Sequence, residues 1–199
     1  PVSTKVPKAT FGAALGLSGA ALQGLLRNPL AEPGVLGVSS LSALGAAGVI
    51  AFGLFGAGQP AVIGGAVAGA TLAIAVLAIA AARGVSTTGL ILAGVGLSSL
   101  GGALLALIMT LAPNPFTVAE LINWMLGSVA NRSLQDLALA APLLALGATL
   151  LALAAKGLSA LTLGEEAAES IGAGVPRTRL LVIIGAGLAT GASVALAGV

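Results

Sequence analysis

The sequence predicts an all-α fold, a polytopic transmembrane helix bundle, and three observations carry that prediction. Hydrophobic residues make up 58% of the 199 positions and charged ones 7%, whereas a soluble domain uses about 25% charged residues. The apolar residues come in six stretches, 9–26, 34–55, 60–82, 88–111, 137–155 and 180–199. Each is close to the ~20 residues that a helix needs to cross a bilayer. Small residues recur every four positions inside several of them, a spacing that lets helix backbones approach closely where no hydrophobic effect drives association.

The first stretch carries Gly12, Gly16, Ala20 and Gly24 on one helical face and runs into Arg27-Asn28-Pro29. Pro29 and Pro33 stop helices and Arg27 needs water, so a hairpin lies at the membrane surface. Arg27, Asn28, Pro29 and Gly37 are read as structural residues of that hairpin rather than as ligand-binding ones. Gln23, one turn inside, is expected to bond a neighbouring helix. The second stretch, 34–55, returns the chain across the membrane. The third carries Gly65, Gly69 and Ala73 in register, and the basic Arg83 follows it. Thr87 and Thr88 open the fourth and suit helix capping; Gly94, Ser98, Gly102 and Ala106 form its small-residue row.

The connection from Ala112 to Asp136 is long. After Pro113 and Pro115 it predicts an amphipathic helix over 117–129, with Leu121, Trp124, Met125 and Leu126 clustered and Glu120 and Asn123 facing out. Trp124, the single Trp, suits headgroup depth; packing against the bundle is the other reading. Glu120, Arg132 and Asp136 read as a solvated loop. Beyond the fifth stretch, the loop from Lys156 to Arg179 is the charged one. There Thr162-Leu163-Gly164-Glu165 has the shape of a capping box, and Glu165, Glu166 and Glu169 sit in a helix of about two turns. Gly172, Gly174 and Pro176 end it. So short a helix is not stable alone in water, so it needs a partner surface, for which Ala167, Ala168 and Ile171 are the contacts. The sixth stretch carries Gly187, Gly191 and Ala195. Residues 1–199 form a single transmembrane domain. The chain opens without Met and ends within an apolar run, so it reads as an internal part of a longer protein.

Charge and chemistry narrow the function. Lys and Arg, eight in all, fall near segment ends and read as surface anchors rather than a nucleic-acid stripe. One side of the membrane receives Arg27, Arg83, Lys156, Arg177 and Arg179, the other Lys5, Lys8 and Arg132. The excess of positive charge favours the first side as cytoplasmic. Cys and His are both absent, which removes disulfides, soft metal sites and imidazole-based catalysis. No catalytic, cofactor or metal residues are assigned.

Four blocks, in order, resemble the permease subunits of ABC importers for iron siderophores, haem and vitamin B12, the FecCD family. They are Gly12 to Ser39, including Arg27-Asn28-Pro29-Leu30-Ala31; Leu90 to Val95; Trp124-Met125-Leu126-Gly127-Ser128; and Leu163 to Gly172. The resemblance implies a fragment of a ten-helix permease, with the first and last helices of the family fold missing. It implies ATP-driven import of an iron chelate or vitamin B12 across the bacterial cytoplasmic (inner) membrane, as one of two permease copies in a homo- or heterodimer. Two separate ATPase subunits and a soluble substrate-binding protein are the other implied partners, so this chain is not itself an enzyme. The absence of a Gly-Lys-Ser/Thr phosphate loop agrees with ATP being handled elsewhere.

By the same resemblance Gly164, Glu165, Glu166, Ala167, Ala168, Glu169, Ser170, Ile171 and Gly172 form a coupling helix against the ATPase. Lys5 and Lys8 dock the binding protein, or else anchor a helix end. Thr87 and Thr88 form a cytoplasmic gate, or else cap their helix. An ion-coupled secondary transporter is the alternative function; its marks would be acids or broken helices at the membrane midplane, and the stretches carry neither.

Overall fold

A computed structural model describes residues 2–54, 58–129 and 134–198, without the side chains of residues 2–7 and 136. Helix formation follows the punctuation of the sequence. The first helix, α1 (Val2–Leu26), ends where Arg27 takes a left-handed φ of 50°. There the Asn28 side chain accepts a hydrogen bond from the Leu30 amide at 2.9 Å, closing the turn with its own backbone. Pro33 starts a 3-10 turn, Pro33–Leu36, and Gly37, at φ 71°, redirects the chain into α2 (Val38–Phe52).

The remaining helices are α3 (Gln59–Ala82), α4 (Thr87–Leu111), α5 (Pro115–Leu126), α6 (Leu134–Leu161), α7 (Glu165–Ser170) and α8 (Val175–Ala197). No strand occurs among the described residues. Helix α8 packs against α6, α3, α1 and α2, while α4 lies on α2 and the 3-10 turn, and α5 on α2.

The helix within the stretch expected at 34–55 is shorter than that stretch. Among the described residues five helices are long and apolar enough to cross a membrane, and α2, with 15 residues, is only ~22 Å long at ~1.5 Å per residue against a ~30 Å apolar core. The 3-10 turn and the left-handed Gly37 consume the residues that would have lengthened it. At two other boundaries a charge was taken as the edge of a helix and is not. Helix α6 runs on to Leu161 and carries Lys156 exposed on its surface, since a long aliphatic stem lets a cation reach water from within a helix. Pro176, in the first turn of α8, starts the helix five residues before position 180, because Pro is preorganised for helical φ and lacks only an amide that would be unpaired there. Arg177 and Arg179 therefore belong to α8.

Helix α5 starts at Pro115, capped by Asn114, whose side chain accepts from the Thr117 amide at 2.9 Å, and it stops before Gly127, at φ 64°. Leu121 is buried and Trp124 and Met125 pack beside it, but Leu126 is 75% exposed and does not join them.

Close packing uses some of the small-residue rows and not others. A Cβ on Gly69 would stand 1.9 Å from the Leu41 carbonyl oxygen, and one on Gly65 2.6 Å from that of Gly45, so α2 and α3 touch backbone to backbone. On α8, Gly187 meets Ile74 and Gly191 meets Ala70 of α3. On α1, Gly12 and Gly16 face nothing within 4 Å; its inward side is instead Phe11, Ser18, Leu22 and Leu25. On α4 the packed positions are Gly94 and Gly101, one below the other, whereas Gly102 is open.

Candidate functional site

The chemistry of the chain collects at one end of the bundle. The Arg27–Pro29 hairpin, the first turn of α4, the loop 162–164, α7 and the first turns of α8 all lie there, because α1, α3 and α6 run toward that end while α2, α4 and α8 leave it. Helix α7 offers Glu165, Glu166, Ala167, Glu169 and Ser170 to the exterior, and Ala168 is fully buried against the chain. Its helical body is Glu165–Ser170, so Gly164, Ile171 and Gly172 of the expected block are its flanks. Ile171 is 65% exposed.

The capping box does not form. Gly164, at φ 105°, occupies the cap position and has no side chain to accept, and the Thr162 hydroxyl donates to the Ser159 carbonyl instead, at 2.7 Å. Two acids remain in the first turn of α7, where negative charge suits the helix dipole. The Arg27 guanidinium lies beside Gly164, which brings hairpin and α7 together.

The centre of this end is Arg179. It is 5% exposed, its side chain forms an ion pair with Glu165, and its Nε donates to the Thr87 hydroxyl at 3.0 Å across 92 residues of sequence. Removing one partner of a buried pair costs about 3–5 kcal/mol, and an exposed pair contributes about 0–1 kcal/mol. The Glu165 side chain is 45% exposed, so this pair falls between those limits. Sequence reading counted Arg179 as a surface cation and missed the contact. The available signal was a charge one turn inside an apolar helix, a costly placement unless a partner meets it.

Thr87 is half-buried and accepts from Arg179, while Thr88 is exposed. Neither caps α4; Ser86 does, accepting from the Gly89 amide at 3.2 Å. Among the described residues Gln23 reaches back to the Ala31 carbonyl of its own hairpin, at 3.3 Å, rather than to the neighbouring helix expected for it. Gly37 is held against α4: a Cβ there would stand 2.8 Å from the Gly94 carbonyl oxygen, and one on Gly94 2.2 Å from that of Val35. Asn28 closes the turn, and Pro29 is exposed beside it.

Lys8 is exposed near the start of α1, and Lys5 lies one turn earlier with its side chain outside the described residues. Along α1 (Val2–Leu26) the 19 to 22 residues between this pair and Arg27 put it ~30 Å from the hairpin at ~1.5 Å per residue, at the opposite end of the bundle. Arg132 and the side chain of Asp136 also lie outside the described residues. At that far end Glu120, Gln59 and Trp124 line a cleft of about 190 Å³ with Ile50, Val62 and Ala195. The side chains at the α7 end offer hydrogen bonds and an ion pair.

A model of the FecCD transport family matches residues 6–199. The chain is 38% identical over 195 residues to an uncharacterized ABC transporter permease protein, YvrB, of Bacillus subtilis, covering 96% of this chain and 55% of that protein. It is 36% identical over 196 residues to the cobalamin import system permease protein BtuC of Halobacterium salinarum (96% and 51% covered). To the hemin transport system permease protein HmuU of Yersinia pestis it is 31% identical over 192 residues (94% and 57%). The chain thus spans little more than half the length of these curated relatives. A solved structure, an inward-facing conformation of a metal-chelate type ABC transporter, superposes on all of this chain and 63% of that one, with a TM-score of 0.89 and 29% identity.

Proposed function

The chain belongs to the FecCD transport family, and from that premise we propose that it forms part of the permease of an ABC importer, a multi-pass protein of the bacterial inner membrane that admits a metal chelate. Relatives are named for cobalamin and for hemin, so the cargo class is wider than iron siderophores and takes in vitamin B12, haem and iron chelates. ATP hydrolysis belongs to separate subunits, two of which bind a pair of permease copies on the cytoplasmic face. A soluble binding protein delivers cargo on the other face, where Lys5 and Lys8 are its docking residues. The ion-coupled alternative finds no support: every Asp and Glu of the sequence lies outside the five long apolar spans.

The observation that carries this reading is α7, a helix of six residues with three outward acids and the exposed Ile171 beside it, held to the bundle by Ala168 and the Arg179 pair. A helix this short keeps its shape only on a surface, and its outward face is free to press on a partner. Thr87 and Thr88 lie at the same end, as a gate worked from that side would require. Single cysteines at Glu166 or Ile171 of the full-length protein test it. With the ATPase subunits present, they form crosslinks to cysteines on the ATPase surface in a transport-competent complex. A competent complex in which neither position crosslinks overturns the coupling role of α7.

A further inference from the structure

Arg179 joins three elements that otherwise meet little. Helix α7 has one fully buried side chain, Ala168, and the pair between Glu165 and Arg179 ties its first turn to α8. Helix α4 rests on α2 and the Pro33–Leu36 turn, and its first turn is joined to α8 through the bond from Arg179 Nε to Thr87 Oγ1. A guanidinium can serve both partners at once because its donors are fixed in a planar fork, with Nε and the terminal nitrogens pointing in different directions. An apolar residue at 179 would fill the same buried space without the cost of desolvating a charge, so stability alone does not account for an arginine.

We infer that Arg179 is a positioning residue of the transport cycle, carrying the displacement of α7 to the first turn of α4. This rests on the coupling role proposed above for α7, and adds a specific route from that helix to Thr87. When a partner presses α7, Glu165 moves, the guanidinium follows its ion pair, and Thr87 is drawn with it. The residue acts through Thr87 and does not touch cargo.

The test uses the full-length transporter with its ATPase subunits in lipid vesicles and needs no cargo. Nitroxide labels on the exposed Ile171 and, separately, on the exposed Thr88 are each measured by pulsed electron resonance against a third label at Phe116, at the opposite end, with and without vanadate-trapped ATP. In the parent both distances change on trapping. In Arg179→Gln the Ile171 distance still changes and the Thr88 change is lost. If both distances shift in Arg179→Gln as in the parent, the inference is overturned while the coupling reading stands. If neither distance changes in the parent, the coupling reading fails and the inference with it. Should Arg179→Gln not assemble, Thr87→Val decides, because it removes only the hydroxyl acceptor at nearly constant shape. A reduced Thr88 shift supports the route, and an undiminished one overturns it.

Discussion

Helix α8 is enclosed by its neighbours over 72% of its most apolar window, and α4 over 17%, although their mean hydropathies are nearly equal at 2.2 and 2.1. Hydropathy therefore does not distinguish the hub of the bundle from its margin. What distinguishes them is where their glycines fall. On α8, Gly185 admits Leu151 of α6 while Gly187 and Gly191 admit Ile74 and Ala70 of α3, so neighbours close in from two sides. On α4, Gly94 and Gly101 admit only the 3-10 turn and Ser40, along one line. A helix gripped from two sides is held more firmly than one gripped along a line, which agrees with the proposal that α4 moves relative to α8.

That contrast can be broken or sharpened by adding side chains. Gly191→Leu has the largest expected effect: its Cβ alone would stand 2.6 Å from the Ala70 Cβ, and overpacking of this kind costs about 3 kcal/mol. The purified protein should lose most of its resistance to denaturant. Gly94→Ala comes next, since its Cβ would meet the Val35 carbonyl oxygen at 2.2 Å. The 3-10 turn can give where a helix cannot, so about 1–2 kcal/mol is expected by the same measurement. Gly102→Ala is the smallest. Nothing lies within 4 Å of it, so unfolding of this chain should show no loss beyond about 0.5 kcal/mol, and helix propensity favours a gain of up to about 1 kcal/mol. A larger loss in the full-length, assembled protein would mean that this face of α4 is covered there by another helix or subunit.

The membrane spans were legible because burial in lipid is a bulk property, and composition over ~20 residues reports it. Helix ends were less so. Lys156 and Arg179 read as loop residues because a charge normally marks water, yet one reaches out along its stem and the other is met by Glu165 inside the helix end. Small-residue rows looked alike on α1 and α3, but spacing only permits close approach, and which face receives a neighbour is decided by the fold. Thr162 and Glu165 had capping-box spacing, and the left-handed Gly164 between them broke it. At the candidate site, α7 and its acids could be read locally, whereas the bond from Arg179 to Thr87 spans 92 residues and leaves no local pattern.

The central claim is that α7 lies in the cytosol, at the end where an energy-supplying subunit can reach it. A cysteine introduced at the exposed Glu166 into the full-length protein, which has no natural Cys within this chain, measures that with a membrane-impermeant thiol reagent. Labelling in inside-out vesicles and none in intact cells is the predicted result; labelling in intact cells from outside would contradict the account.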